Sequence, residues 1–320
     1  MKKLLFLLTI IITTFLSCHG TKEQSTTIDY YHWKQNYEVN SSSLIKPSFI
    51  KIIDIGYDYA REDLDIKFTN FKTSPSFKIT PVVYIDNEAL ISSDEKKMAS
   101  SIIELLEKSS KQNNFAYDTI QIDCDWNAKS RYKYFNLLKI IKFQSKKIIS
   151  ATIRLHQIAN ASQTGIPDVD RGVLMYYNMS DFKDMDTKNY ILDNSIASQY
   201  HKNFDTYPLE LDLALPLYSQ ATIIRFGKVV GLIEGVRIAK LDKDIFIQIE
   251  KNIYEAKKEH YLKGRLLYKG DRIRIDSVEI SELKKSVNEL KKVMKAPKNI
   301  IFYQWENRAF YNEYELKKLW

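Results

Sequence analysis

The chain has 320 residues with 48 basic and 40 acidic side chains, a formal charge of +8, nine glycines, seven prolines and two cysteines. That composition excludes a collagen-like, low-complexity or disulfide-stapled molecule, and 44% hydrophobic residues over this length suffice for one large core or two smaller ones. The lysines are spread along helical faces, as at Lys284, Lys285, Lys291 and Lys292, so a solvated surface accounts for them and no nucleic-acid partner is expected.

The first element stands apart from the fold. Lys2 and Lys3 precede an apolar run from Leu4 to Leu16, too short for a comfortable membrane span. The run ends in Phe15-Leu16-Ser17-Cys18, which resembles the lipobox of bacterial lipoproteins. The resemblance implies cleavage before Cys18 and a lipid on its thiol. Residues 1–18 are therefore expected to be a lipoprotein signal peptide and residues 19–27 a polar tether. The mature chain is expected on a membrane of the bacterial cell envelope. Losing Lys2 and Lys3 lowers the charge to +6, 46 basic against 40 acidic. With Cys18 acylated, Cys124 is the one thiol left and no intrachain disulfide can form.

From there short apolar runs alternate with amphipathic segments, as βα units do. Strands are expected at DYYHWKQ (29–35), FIKIIDIG (49–56), KITPVVYI (78–85), TIQIDCDW (119–126), IISATIRL (148–155), GVLMYYNM (172–179), LELDLALPL (209–217) and NIIFYQWE (299–306), eight in all. Asp94 can cap a helix carrying Met98, Ile102, Leu105 and Leu106. A second helix over 131–143 sets Tyr132, Phe135 and Leu138 to pack and Lys139 to solvate. A third carries Leu283, Val287, Leu290 and Met294 and stops before Pro297. Residues 221–279 break the alternation, with a hairpin at Gly227-Lys228, a helix near 244–259 and a second hairpin at Gly270-Asp271. The expected fold is a (β/α)8 TIM barrel over 28–220 and 280–320, with a small α+β insertion at 221–279 between the seventh and eighth strands.

In such barrels chemistry sits at the C-terminal strand ends. Here those ends offer Asp54, Tyr84, Asp86, Asp123, Asp125, Arg154, His156, Tyr177, Asn178, Tyr218, Tyr303, Trp305 and Glu306. In the fourth strand, alternation puts Gln121, Asp123, Asp125 and Asn127 on one face and Ile120, Ile122, Cys124 and Trp126 on the other. A polar face inside a fold is costly unless it is hydrogen-bonded or lines a site. Convergent carboxylates and aromatic rings suit a sugar. Two other readings stay open from the residues alone. One is a hydrogen-bond network tying strands together; the other is Ca²⁺ or Mg²⁺ held by Asp123 and Asp125. No acidic loop of calcium-binding spacing accompanies that pair, so neither metal nor cofactor is expected. Cys124 reads as a small buried residue.

The order of these motifs resembles the glycoside hydrolase family 18 chitinase-like barrels. Their fourth strand carries Asp-x-Asp-x-Glu, set here against Asp123-Cys124-Asp125-Trp126-Asn127. Their Met-x-Tyr-Asp on the sixth strand is matched by Met175-Tyr176-Tyr177-Asn178, and their seventh-strand segment by Ala214-Leu215-Pro216-Leu217-Tyr218-Ser219. A tryptophan that floors the family's sugar site is set against Trp305. The sequence also looks like bacterial lipoproteins with glycosidase-like barrels. In the family the glutamate protonates the glycosidic oxygen and the middle aspartate orients the substrate's own N-acetyl group as nucleophile. In this register Asn127 takes the glutamate's place, and an amide cannot act as a general acid.

The resemblance implies catalytic candidates Asp123, Asp125, Asn127 and Glu306. It implies substrate-binding candidates Asp54, Tyr84, Trp126, Met175, Tyr177, Asn178, Tyr218 and Trp305. The favoured function is a catalytically degenerate, monomeric barrel that binds a glycan such as one of N-acetyl sugars. The alternative is an active glycosidase using Asp125 with a proton donor from another strand: Glu306, Asp54 or Asp86.

Overall fold

The computed structural model describes residues 26–40 and 44–320. The signal peptide, Cys18 and all but the end of the tether lie outside the described residues. Eight parallel strands form the barrel: β1 (Thr27–His32), β2 (Phe49–Asp58), β3 (Thr80–Ile85), β4 (Thr119–Asp123), β5 (Ile148–Arg154), β6 (Arg171–Met175), β7 (Leu211–Pro216) and β8 (Asn299–Tyr303). The sheet closes on itself. β1 pairs with β8, Thr27 opposite Asn299 through Tyr30 opposite Phe302, and with β2, Tyr31 opposite Phe49.

Alternation along these strands builds two separate apolar layers. Tyr31, Phe49, Val82, Val173, Met175, Tyr177, Ala214 and Ile301 fill the lumen. Their neighbours in sequence, among them Tyr30, Ile50, Ile120, Ile122, Ile149, Leu174, Ile300 and Phe302, face outward into the layer that the helices cover. A one-residue slip of any strand would exchange the two layers, so the register is strongly specified.

The covering is uneven. No helix follows β1 or β2 among the described residues. β2 instead runs on into an antiparallel hairpin with Asp63–Phe68, Ile53 opposite Phe68. From β3 onward helices return. In α1 (Glu95–Asn113) the Asp94 carboxylate accepts from the Lys97 N–H at 2.9 Å, and Met98, Ala99, Ile102 and Leu106 are buried at helical spacing. α2 (Arg131–Ser145) buries Tyr134, Leu137, Leu138 and Ile141. This stripe is rotated from the expected one: Tyr132 is 73% exposed. The aliphatic i, i+3, i+4, i+7 set removes more apolar area from water than a face centred on Tyr132 would. α3 (Ile280–Leu290) buries Leu283, Ser286, Val287 and Leu290 against β8 and its neighbours.

Between β7 and α3 lies a five-stranded antiparallel sheet, in the order Lys228–Glu234, Ser219–Arg225, Arg272–Ser277, Ile253–Ala256, Phe246–Gln248. It has a core of its own around Ala221, Ile223, Ile233, Phe246, Ile273 and Ile275. The hairpin at Gly227-Lys228 forms as expected, with Gly227 at φ 71°. The helix expected near 244–259 is absent. Phe246–Gln248 and Ile253–Ala256 pair as strands there, with Phe246 and Ala256 inward and Ile247 49% exposed. β-branched and aromatic residues alternating at period two favour strand over helix. The second hairpin turns at Lys263-Gly264, both at positive φ (47° and 81°), and the Gly270-Asp271 turn leads into Arg272–Ser277 instead.

Candidate active site at the barrel mouth

A cavity of about 380 Å³ opens at the C-terminal ends of the strands. Its floor comes from β4. Gln121 is fully buried and hydrogen-bonded to the Tyr31 hydroxyl across the lumen at 2.8–3.0 Å. One step up, Asp123 accepts from Thr152 Oγ1 of β5 at 2.7 Å. Burial pushes its carboxyl up to about 7, and the charge of Asp125 adds to the rise; the Thr152 bond and the cations of Arg154 and Lys51 oppose it. One step further, Asp125 stands at the rim with its side chain 64% exposed and Oδ1 3.7 Å from Arg154 Nε. Thus Gln121, Asp123 and Asp125 climb from the sealed lumen to solvent along one face.

The wall is aromatic. Tyr177 and Tyr303 stack at 5.4 Å, Tyr218 meets both edge-on, and Trp33 meets Tyr303 and Tyr84 edge-on. Burial holds the Tyr84 and Tyr177 hydroxyls well above their usual range, so both stay protonated donors. Tyr177 donates to Met175 Sδ at 3.2 Å. Asn178, at φ 56°, accepts from the Tyr218 hydroxyl through Oδ1, and its carbonyl accepts from Arg154 Nη2 at 3.3 Å.

The insertion forms the remaining wall, with Gln220, Glu234 and Gly235 from its sheet and Lys263 from its small hairpin. It also fixes the loop after β6, which brings Phe182 and Tyr190 to the cavity. Arg274, 1% exposed, donates to the Asp184 carbonyl at 2.6 Å and the Phe182 carbonyl at 3.0 Å, and its Nε to Asp276 Oδ2 at 2.9 Å. Burial raises the Asp276 carboxyl to about 6, with the Arg274 charge opposing.

Asp123, Asp125, Tyr84, Met175, Tyr177, Asn178 and Tyr218 therefore meet in one cavity. Five other candidates do not line it. Asn127 lies beyond the strand, where its Oδ1 accepts from the Lys129 and Ser130 N–H groups at 2.8 and 3.3 Å, shaping the turn into α2. Trp126 faces outward, 4% exposed, stacked on Tyr134 at 5.2 Å and donating to the Thr164 carbonyl. Trp305 also packs outward, edge-on to Tyr30 and beneath the Arg308 guanidinium. Glu306 contacts His32 Nδ1 at 2.7 Å behind the barrel wall. Asp54 pairs with Lys51 at 2.6 Å and lines a separate small cavity with Gln35 and Lys67. Asp86, the remaining alternative donor, caps a short helix by accepting from the Glu88 N–H. Among the described residues no three His, Cys, Asp or Glu side chains group closely enough for a metal ion.

Sequence reasoning passed over Trp33, Lys34, Gln304 and Asn307, although the strand-end rule that found Tyr303 reaches the first three. Glu234 and Lys263 carried no signal, because only the insertion's tertiary placement brings them to the mouth.

No protein-family model matches the sequence, and no curated protein does. Solved structures do share the architecture. The spore cortex-lytic enzyme SleL of Bacillus megaterium superposes with a TM-score of 0.52 at 9% identity, over 89% of this chain and 73% of that one. The C-terminal domain of a protein designated a chitinase from Desulfitobacterium hafniense gives a TM-score of 0.52 at 10% identity, over 85% of this chain and 89% of that one. What the chain shares with them is the (β/α)8 barrel fold.

Proposed function

We propose that the cleft binds a glycan containing N-acetyl sugars and cleaves it, with Asp125 at the position of the proton donor. One observation carries this reading: Gln121, Asp123 and Asp125 are the β4 side chains that run from lumen to mouth, while Asn127 shapes a turn outside the cleft. Setting the Asp-x-Asp-x-Glu motif two residues earlier removes the reason for a lost acid. Asp125 then protonates the glycosidic oxygen as the substrate's acetamido carbonyl attacks the anomeric carbon. Asp123, its carboxyl raised by burial and then by the charge of Asp125, orients the acetamido N–H and exchanges a proton with Asp125. Tyr177 lines the cleft with its hydroxyl protonated, and turning that donor from Met175 Sδ would offer it to the acetamido carbonyl. The fold shared with a cortex-lytic enzyme and a designated chitinase supports a glycan substrate by analogy only.

Binding without cleavage is the second reading. The rim acid is an aspartate, one methylene shorter than the motif's glutamate, and it lies 3.7 Å from a guanidinium. A glycan-array screen followed by hydrolysis assays on the hits separates the two. Asp125→Asn should abolish cleavage and leave binding within a few fold; cleavage retained by that variant would remove Asp125 from the reaction. Wild type binding but never cleaving would establish the second reading.

We further propose that Cys18 carries a lipid anchor in the cell envelope. The Lys2–Cys18 signal supports it, and so does the start of β1 at Thr27, at the barrel end opposite the cleft. A tether leaving there would direct the mouth away from the membrane. The protein is read as a monomer.

A further inference from the structure

We propose that the glycan taken by this cleft carries carboxylate groups, recognised by Lys34 and Lys263; the inference rests on the glycan reading above and names its substrate class. The cavity holds three cations and three carboxyl groups. Arg154 is committed to Asp125 and to the Asn178 carbonyl. Asp123, on the floor, accepts from Thr152 Oγ1, and its raised carboxyl carries less charge than a free one near neutral pH. Lys34 and Lys263 line the cavity with Glu234, and neither lysine makes an ion pair or side-chain hydrogen bond with another described residue.

The two amines come from different parts of the molecule. Lys34 follows β1, whereas Lys263 sits in the turn of the insertion's small hairpin at φ 47°. Its Nζ lies over Gly235, 2.7 Å from where a Cβ would stand, which sets the amine beside the cleft wall while the side chain stays exposed. A neutral oligosaccharide would leave both charges unmatched. An anionic one would meet two amines in the cavity that holds Asp123 and Asp125. Lysine is a compact point charge on a flexible stem, which suits a carboxylate on a short substituent such as a lactyl ether or a uronate. Such pairs at an open mouth are screened by salt.

The test uses the mature protein and three tetrasaccharide probes in titration calorimetry. They are an N-acetylglucosamine tetramer, an alternating N-acetylglucosamine–N-acetylmuramic acid tetramer, and the methyl ester of the latter, larger by one methyl group at each acid and without charge. At low salt the acid should bind about tenfold more tightly than its ester, the scale of two exposed ion pairs. That ratio should shrink toward one in 0.5 M salt, fall about threefold in Lys34→Gln and in Lys263→Gln, and survive in Lys34→Arg. Glu234→Gln should raise it. Acid and ester binding equally in wild type, or a ratio unmoved by both glutamine variants, overturns the carboxylate inference while leaving the glycan site standing. Binding of none of the three overturns both readings.

Discussion

Replacing Asp123 by asparagine should change how the stability of this protein depends on pH. In the folded chain the Asp123 carboxyl is raised from 3.8 to about 7, first by burial and then by the charge of Asp125. The folded state therefore holds this proton more tightly than the unfolded chain does. The contribution is fully present below about pH 4, falls as pH rises toward 7, and is gone above it. A gap of about three pH units at about 1.4 kcal/mol each bounds the effect at about 4 kcal/mol, and water reaching the rim at Asp125 should reduce it to about 2–3 kcal/mol. The asparagine amide keeps an acceptor for Thr152 Oγ1 and has no proton to lose, so the variant should gain about that much on wild type between pH 4.5 and pH 8. Urea unfolding followed by circular dichroism at both pH values measures it. Asp276, raised to about 6, titrates alike in both chains and cancels from the difference. Wild type and Asp123→Asn changing in parallel, to within about 0.5 kcal/mol, would refute a half-buried, proton-holding Asp123.

Other consequences are direct. Trp126→Ala empties a site stacked on Tyr134 in the outer layer, so it should cost about 3–5 kcal/mol of stability and leave glycan affinity in place; lost affinity in a variant of unchanged stability would put Trp126 back in the cleft. Arg274→Ala strands a buried Asp276 and two backbone carbonyls, for about 3–5 kcal/mol. Removing Asp276 as well should recover part of that, and equal costs for single and double variants would deny the pairing. Cys18→Ala should move the protein out of the membrane fraction, and a variant that survives a carbonate wash on the membrane would sink the lipid anchor.

Much of this architecture was legible because each barrel strand is a short apolar run whose two faces both pack, and helices such as α1 announce themselves by cap and spacing. The insertion was harder. Phe246, Ile247 and Ile249 fit a helical stripe as readily as a strand until Arg272–Ser277 is placed beside Ile253–Ala256. The position of Lys263 was beyond reach for a similar reason: it comes to the mouth through an insertion that no local pattern orients, whereas Lys34 follows β1 directly.

Asn127, Trp305 and Glu306 missed the cleft for one physical reason. The period of two was carried past the point where the strand stops. β4 ends at Asp123, and by Trp126 the chain has turned, its N–H donating to the Cys124 carbonyl at 2.9 Å. Alternation therefore holds for Gln121 and Asp123, still delivers Asp125 to the rim, and fails at Asn127. β8 ends at Tyr303, and the short 3₁₀ helix Trp305–Phe310 swings that indole and Glu306 behind the wall, leaving Tyr303 as the aromatic in the cleft. Aromatic and polar side chains at a barrel mouth divide between cleft and shell according to where the last ladder hydrogen bond falls. Sequence alone places that bond no better than to a few residues. A two-residue shift in β4 is thus enough to turn a missing acid into a present one, which is why the Asp125→Asn assay bears more on function than the resemblance does.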